Sequence, residues 1–104
     1  MANQEHVDIL EQGVKTWNQW REEHPDIKPD LSRAKLSMEN LNDANLRGAN
    51  LKGADLKWTD LIRANISRAN LEQANLSGTN LNGANLSRTN LSWTNLSRAN
   101  LCDL

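Results

Sequence analysis

The chain has 104 residues and a formal net charge of −1, and it contains neither Phe nor Tyr. Its length predicts one small soluble domain, and no segment approaches the roughly 20 apolar residues that a membrane-spanning helix needs. A lone cysteine, Cys102, excludes an internal disulfide. The first residues lack the basic start and apolar run of a secretory signal, so a cytoplasmic location is expected.

The first quarter of the chain has the pattern of an amphipathic helix. Between residues 4 and 23 the apolar residues fall on one stripe, which consists of Val7, Leu10, Val14 and Trp17. Asn3 is a candidate N-cap, and His24 followed by Pro25 is a candidate stop. We therefore expect one helix and its connector over residues 1–28, and a second region over residues 29–104.

The second region carries an aliphatic residue at every fifth position. The series is Leu31, Leu36, Leu41, Leu46, Leu51, Leu56, Leu61, Ile66, Leu71, Leu76, Leu81, Leu86, Leu91, Leu96 and Leu101. Steps of five residues turn by about 140° on an α-helix and would spread this series around the cylinder. On a long strand the series would alternate between two faces. The period instead predicts short extended pieces separated by corners, with each leucine pointing to one central axis.

The residue two before each leucine is usually Ala or Thr. Because inward positions alternate along an extended piece, we expect this small residue to share the axis with the leucine. The remaining three positions carry mostly Ser, Asn, Lys, Arg, Gly and Gln and should face water. The Asn that precedes most leucines suggests a ligand site, but Asn more commonly satisfies backbone groups at turns, and that structural role is favoured.

The clearest units are Ala44-Asn45-Leu46-Arg47-Gly48, Ala49-Asn50-Leu51-Lys52-Gly53 and Ala84-Asn85-Leu86-Ser87-Arg88. Repeated in register over about residues 29 to 103, this motif resembles the pentapeptide repeat family. The resemblance implies an all-β solenoid: a right-handed quadrilateral β-helix with four units per coil and just under four coils. The sequence departs from the motif at Pro29, Lys35, Glu39 and Ile66. The stretch Trp17-Asn18-Gln19-Trp20-Arg21 is similar to one in small cyanobacterial members of the family.

The N-terminal helix has two candidate roles. A solenoid exposes the ends of its core and needs caps, and the helix can lay its apolar stripe over the first coil. Alternatively, the stripe binds a partner. The cap is favoured because Trp17 and Trp20 would otherwise be exposed on a monomer.

Two sets of outward residues are candidates for an interaction surface. Arg63, Arg68, Arg88 and Arg98 predict a loosely basic surface on the later coils, suited to a phosphate or acidic partner. Solvated arginines that discourage aggregation are the alternative. Trp58 and Trp93 occupy outward positions on adjacent sides and could border one apolar patch with Ile62, as anchors for a partner. The alternative is that each ring lies flat on a neighbouring coil.

Catalytic motifs are lacking. His6, His24 and Cys102 stand apart in the sequence, and there is no metal-binding pair, phosphate loop or nucleophile elbow. No cofactor, no metal and no enzymatic activity are therefore expected.

The end of the chain carries exposed core positions that predict a homodimer through the last coil, formed by Leu86, Leu91, Leu96, Leu101 and Leu104.

Two functions are consistent with this pattern. The first is a non-enzymatic protein–protein interaction or scaffold module that presents a rigid rod to an unidentified protein partner. The second is a DNA mimic, because some members of the pentapeptide repeat family bind DNA gyrase by resembling a charged duplex. A mimic needs a strongly negative rod, whereas residues 29–104 hold nine basic and seven acidic side chains. The module is therefore favoured, and binding to membrane or nucleic acid is not expected.

Overall fold

The computed structural model describes residues 2–104, which begin with two helices rather than the single predicted one. Helix α1 spans Gln4–Glu11 and helix α2 spans Val14–Glu23. The prediction of one continuous helix is wrong because Gly13 adopts a φ of 113°, a conformation that ends α1 and that glycine alone adopts without strain. The predicted N-cap is confirmed: Asn3 Oδ1 accepts hydrogen bonds from the backbone N–H of Glu5 and His6.

The rest of the chain is a solenoid whose coils repeat every twenty residues. Parallel one-residue β-bridges join positions twenty apart, from Asp30 with Asn50 to Asn80 with Asn100. Within residues 2–104 no strand is longer than such a bridge, because a turn follows after every one. Four five-residue units therefore complete one coil, and the β-helical solenoid is confirmed. The handedness of the coil stays a prediction of the resemblance.

One backbone pattern recurs wherever a unit has a coil on both sides, as residues 49–54 illustrate. Leu51 N donates to Asn70 O on the next coil at 2.8 Å, and Asn70 N donates back to Ala49 O at 2.9 Å. The turn then closes through Ala54 N and Leu51 O at 3.0 Å, with a positive φ of 68° at Gly53. A hydrogen bond between the first and fourth residues, with a positive φ at the third, is the pattern of a type II β-turn.

The asparagines stabilise these turns, as expected from the structural role. Asn50 Oδ1 accepts a hydrogen bond from Lys52 N at 3.1 Å, and the same contact recurs along the series. It is repeated at Asn40, Asn45, Asp55, Asn65, Asn70, Asn75, Asn80, Asn85, Asn90, Asn95 and Asn100.

Over most of the solenoid the core contains one large and one small residue from each unit, as predicted. The leucine-position residues from Leu31 to Leu81 are at most 2% exposed, with Ile66 taking one leucine position. Threonine replaces alanine without leaving a buried hydroxyl unpaired, since Thr59 Oγ1 donates to Leu36 O at 2.7 Å and Thr79 Oγ1 to Leu56 O at 2.7 Å.

The two helices cover the first edge of the solenoid. Trp17, Val7 and Leu10 are buried. Trp17 Nε1 donates to Asn45 O at 2.8 Å, and Asn18 Oδ1 accepts from Asn45 N at 2.8 Å. In the regular pattern the N–H and C=O of Asn45 would form hydrogen bonds with a preceding coil. Here the side chains of Trp17 and Asn18 take the place of that coil. The contacts agree with the cap, while the division of the chain at residues 28 and 29 stays a prediction.

Candidate interaction surfaces

The twenty-residue repeat sorts the outward residues into four sides. We call side 1 the one that carries Leu51 and Leu71, side 2 the one with Leu56, side 3 the one with Leu61, and side 4 the one with Leu46, Ile66 and Leu86. Residues twenty apart on one side form a column. Trp93 lies on side 1, Trp58 and Arg98 on side 2, Arg63 on side 3, and Arg68 with Arg88 on side 4.

The two candidate tryptophans have different surroundings. Trp58 is 53% exposed, and its ring covers Gly78, the residue above it in the same column of side 2. A Cβ built on Gly78 would lie 2.3 Å from Trp58 Cε3, so the ring occupies the space that only a glycine leaves free. Trp93 is 88% exposed. The aromatic pairs found within residues 2–104 all belong to the helical region and its connector, so the structure does not stack these two rings together.

One apolar residue of this surface escaped the sequence analysis. Met38 is 78% exposed and lies directly before Trp58 in the same column of side 2. Its position twenty residues from Trp58 is the signal that could have revealed it. Side 2 therefore presents two exposed apolar side chains on neighbouring coils.

The four candidate arginines lie on three sides of the solenoid. Arg63 is held by Asp43 of the preceding coil, with Nε–Oδ1 at 3.0 Å and Nη2–Oδ2 at 3.2 Å. That hydrogen-bonded ion pair raises the pKa of Arg63. Arg68 and Arg88 share a column on side 4, and both are exposed, whereas Arg98 lies alone on side 2.

A basic cleft that the sequence analysis missed lies where the connector meets side 4. Its volume is about 540 Å³, and its charged lining consists of Arg21, Lys28, Arg47, Arg68 and Asp26. Arg21 Nη1 donates to Asn45 O at 3.2 Å and Nη2 to Arg47 O at 2.8 Å. Burial, and next the charge of Arg47, lower the pKa of Arg21. Lys28, Gly48 and Arg68 are spaced by twenty residues, so the sequence could have predicted that they share a column. The position of Arg21 could not be predicted in this way, because it depends on how α2 packs.

The residues with catalytic or ligating chemistry have structural surroundings. His6 Nδ1 accepts a hydrogen bond from Asp30 N at 3.0 Å, and its ring packs 5.1 Å from Trp20. His24 Nδ1 lies 3.0 Å from Trp20 O. Cys102 is an exposed free thiol. Across residues 2–104 no three His, Cys, Asp or Glu side chains converge as a metal site would require.

The candidate dimer residues lie at the last coil. Leu86, Leu91 and Leu96 pack partly against the core, while Leu101 and Leu104 are 46% and 56% exposed. The structure thus places all five predicted residues at the same end of the solenoid.

Neither helix in the described part of the chain is long and apolar enough to cross a membrane.

Comparison with known proteins agrees with this architecture. The family model described as pentapeptide repeats matches residues 30–61 and 64–101. The solved structure of Rfr23, a pentapeptide repeat protein from the cyanobacterium Cyanothece 51142, is 37% identical with a TM-score of 0.59. The match covers 67% of this chain and 52% of Rfr23, so the chain spans about half of that protein's length.

A second solved structure is alr5209, a pentapeptide repeat protein from Nostoc PCC 7120. It is 31% identical over 83% of this chain and 73% of its own, with a TM-score of 0.45. No curated protein matches the chain. The family match covers most of the solenoid. Its five-residue repeat agrees with the structure, in which four such units form one coil of twenty residues. The chain therefore belongs to the pentapeptide repeat family.

Proposed function

We propose that the protein is a non-enzymatic protein–protein interaction module in which the solenoid presents fixed side chains to another protein. Proteins of this family are commonly structural or interaction modules without catalytic activity. The observation that carries the proposal is the 88% exposure of Trp93 on a coil whose backbone is hydrogen-bonded to its neighbour. A large aromatic side chain held in water is costly, and tryptophan is enriched among the anchors of interfaces.

The rigid frame strengthens this argument. Gln73 N donates to Ser92 O at 2.9 Å, and Asn95 N donates to Ala74 O at 2.9 Å, so both flanks of Trp93 are tied to the coil before it. A side chain on an ordered backbone loses less conformational entropy on binding than one on a mobile loop. Met38 and Trp58 on side 2 add a second exposed apolar area around the corner.

Capture of partners from the native cell tests the proposal. The wild-type protein is compared with Trp93→Ser and with Gln73→Ser, a control at the polar position below Trp93 in the same column of side 1. We expect one set of proteins to be lost with Trp93→Ser and retained with Gln73→Ser. If both variants capture what the wild type captures, Trp93 is not an anchor and the proposal fails.

The DNA mimic is the weaker alternative because of charge. The repeat region holds nine basic against seven acidic residues, and side 4 carries Arg47, Arg68 and Arg88 with no carboxylate on residues 46–50, 66–70 and 86–90. A positively charged surface repels the Lys and Arg side chains with which a DNA-binding protein recognises the phosphate backbone. Inhibition of gyrase supercoiling would reverse this preference.

We also propose that two copies associate through the last coil. The support is the unpaired edge of residues 86–101, where within the described chain the N–H groups of Leu86, Leu91 and Leu96 have no backbone acceptor. Exposed Leu101 adds apolar surface beside this edge. Two-fold association would cover both edges at once. Light scattering over a dilution series should show a dimer that Leu101→Lys dissociates, and a monomer mass at all concentrations would refute it.

A further inference from the structure

The basic cleft between the connector and side 4 has an excess of positive charge, and its cations form no ion pair within residues 2–104. Arg21, Lys28, Arg47 and Arg68 line it together with one carboxylate, Asp26. The two ion pairs found within residues 2–104 lie elsewhere and join Lys52 with Glu72 and Arg63 with Asp43. The formal charge of the lining is therefore +3.

Arg21 is the fixed member of this group. Two of its N–H groups donate to the carbonyls of Asn45 and Arg47, and this holds the guanidinium against the edge of the first coil. Its Nε is buried and has no hydrogen-bond acceptor among residues 2–104. A buried donor without a partner costs free energy, and the neighbouring charge of Arg47 adds repulsion, since both burial and Arg47 lower the pKa of Arg21. An anion in the cleft would relieve the repulsion.

The rest of the lining suits a small ligand. Pro25 and Ile27 supply an apolar wall, and Gly48 supplies a bare stretch of backbone. A Cβ built on Gly48 would meet nothing within 4 Å, so the space above it is open. The volume of about 540 Å³ falls in the range of small-molecule sites.

We propose that this cleft binds a small organic phosphomonoester, with the phosphate against the cations and the organic body on the wall of Pro25 and Ile27. A phosphomonoester carries nearly two negative charges and three acceptor oxygens, which matches several cations better than a single carboxylate does. Arginine pairs with phosphate in a bidentate geometry, and Arg47 and Arg68 are exposed and free to adopt it. The proposal is independent of the interaction module, because Trp93 lies on a different side of the solenoid.

Isothermal titration calorimetry with phenyl phosphate, inorganic phosphate and phenol separates the contributions of charge and apolar body. We expect phenyl phosphate to bind with one site per chain, inorganic phosphate to bind more weakly, and phenol not to bind. Equal affinity for the two phosphates would overturn the role of the apolar wall and assign free phosphate instead. Absence of phenyl phosphate binding at millimolar concentration and low salt would overturn the proposal entirely.

Variants locate the binding on the molecule. Arg47→Gln and Arg68→Gln should each weaken phenyl phosphate binding about tenfold, the worth of one charge-assisted hydrogen bond. Arg88→Gln is the matched control, because Arg88 follows Arg68 in the same column but lies outside the cleft lining. An equal effect of Arg88→Gln would show diffuse charge attraction and refute a defined site. Ile27→Glu, which puts a carboxylate on the exposed wall, should abolish binding without disturbing the repeat.

Discussion

Replacing Gly78 by alanine tests whether Trp58 is a packing residue. Gly78 and Gly48 both adopt a φ of 69°, so alanine at either position incurs the left-handed penalty of about 1–2 kcal/mol. They differ in their surroundings, since a Cβ on Gly48 meets nothing within 4 Å whereas one on Gly78 would overlap the Trp58 ring at 2.3 Å. Gly48→Ala therefore measures the backbone cost alone, and Gly78→Ala adds the displacement of Trp58.

The size of this addition follows from the exposure of Trp58. The side chain is 53% exposed, so about half of the roughly 200 Å² that a tryptophan can bury is covered. About 100 Å² at ~25 cal/mol/Å² sets an upper limit of about 2.5 kcal/mol if the ring swings out completely. We expect Gly78→Ala to lower the free energy of unfolding by 1–2 kcal/mol more than Gly48→Ala, as order-of-magnitude figures.

Urea unfolding of the two single variants, of Trp58→Ser and of the double variant Trp58→Ser/Gly78→Ala forms a double-mutant cycle. With the ring removed, Gly78→Ala should cost no more than Gly48→Ala. Equal destabilisation by the two glycine substitutions in the wild-type background would refute the stacking of Trp58 on the next coil. It would also restore Trp58 as a candidate anchor equivalent to Trp93.

Three further predictions concern the core, the cap and the charge. Leu61→Asp should destabilise the protein by several kcal/mol because the carboxylate has no partner in the dry core, whereas thermal melts of Ser87→Asp, at an exposed position, should match the wild type. Trp17→Ala should cost about 3–5 kcal/mol in urea unfolding, since the fully buried ring and its hydrogen bond to Asn45 O are both lost; a wild-type midpoint would show that the helices do not stabilise the first coil. In a supercoiling assay we expect no inhibition of DNA gyrase at micromolar protein, because the repeat region has nine basic and seven acidic residues and so is not strongly negative; clear inhibition would favour the DNA mimic.

Much of the solenoid could be predicted because every unit obeys the same local rule. The leucine positions point to the axis, most Asn or Asp side chains before them accept a hydrogen bond from the backbone two residues ahead, and each corner has one residue with positive φ. Arg63 and Asp43 are twenty residues apart, so their ion pair could also have been predicted from the column pattern. The sequence-based prediction instead placed Arg63 in a basic surface with Arg68, Arg88 and Arg98. Met38 was predictable in the same way, because it lies twenty residues before Trp58.

What the sequence alone determined is the repeating part: a five-residue period admits one kind of core, and that core requires the same inward leucine at each step. The tertiary structure decided the rest. It broke the helix at Gly13, laid Trp58 over Gly78, and brought Arg21 of α2 to Arg47 of the first coil. These features depend on which way a side chain leans between coils and on how a helix packs on an edge. Such contacts join residues that share no local pattern, so only the assembled fold determines them.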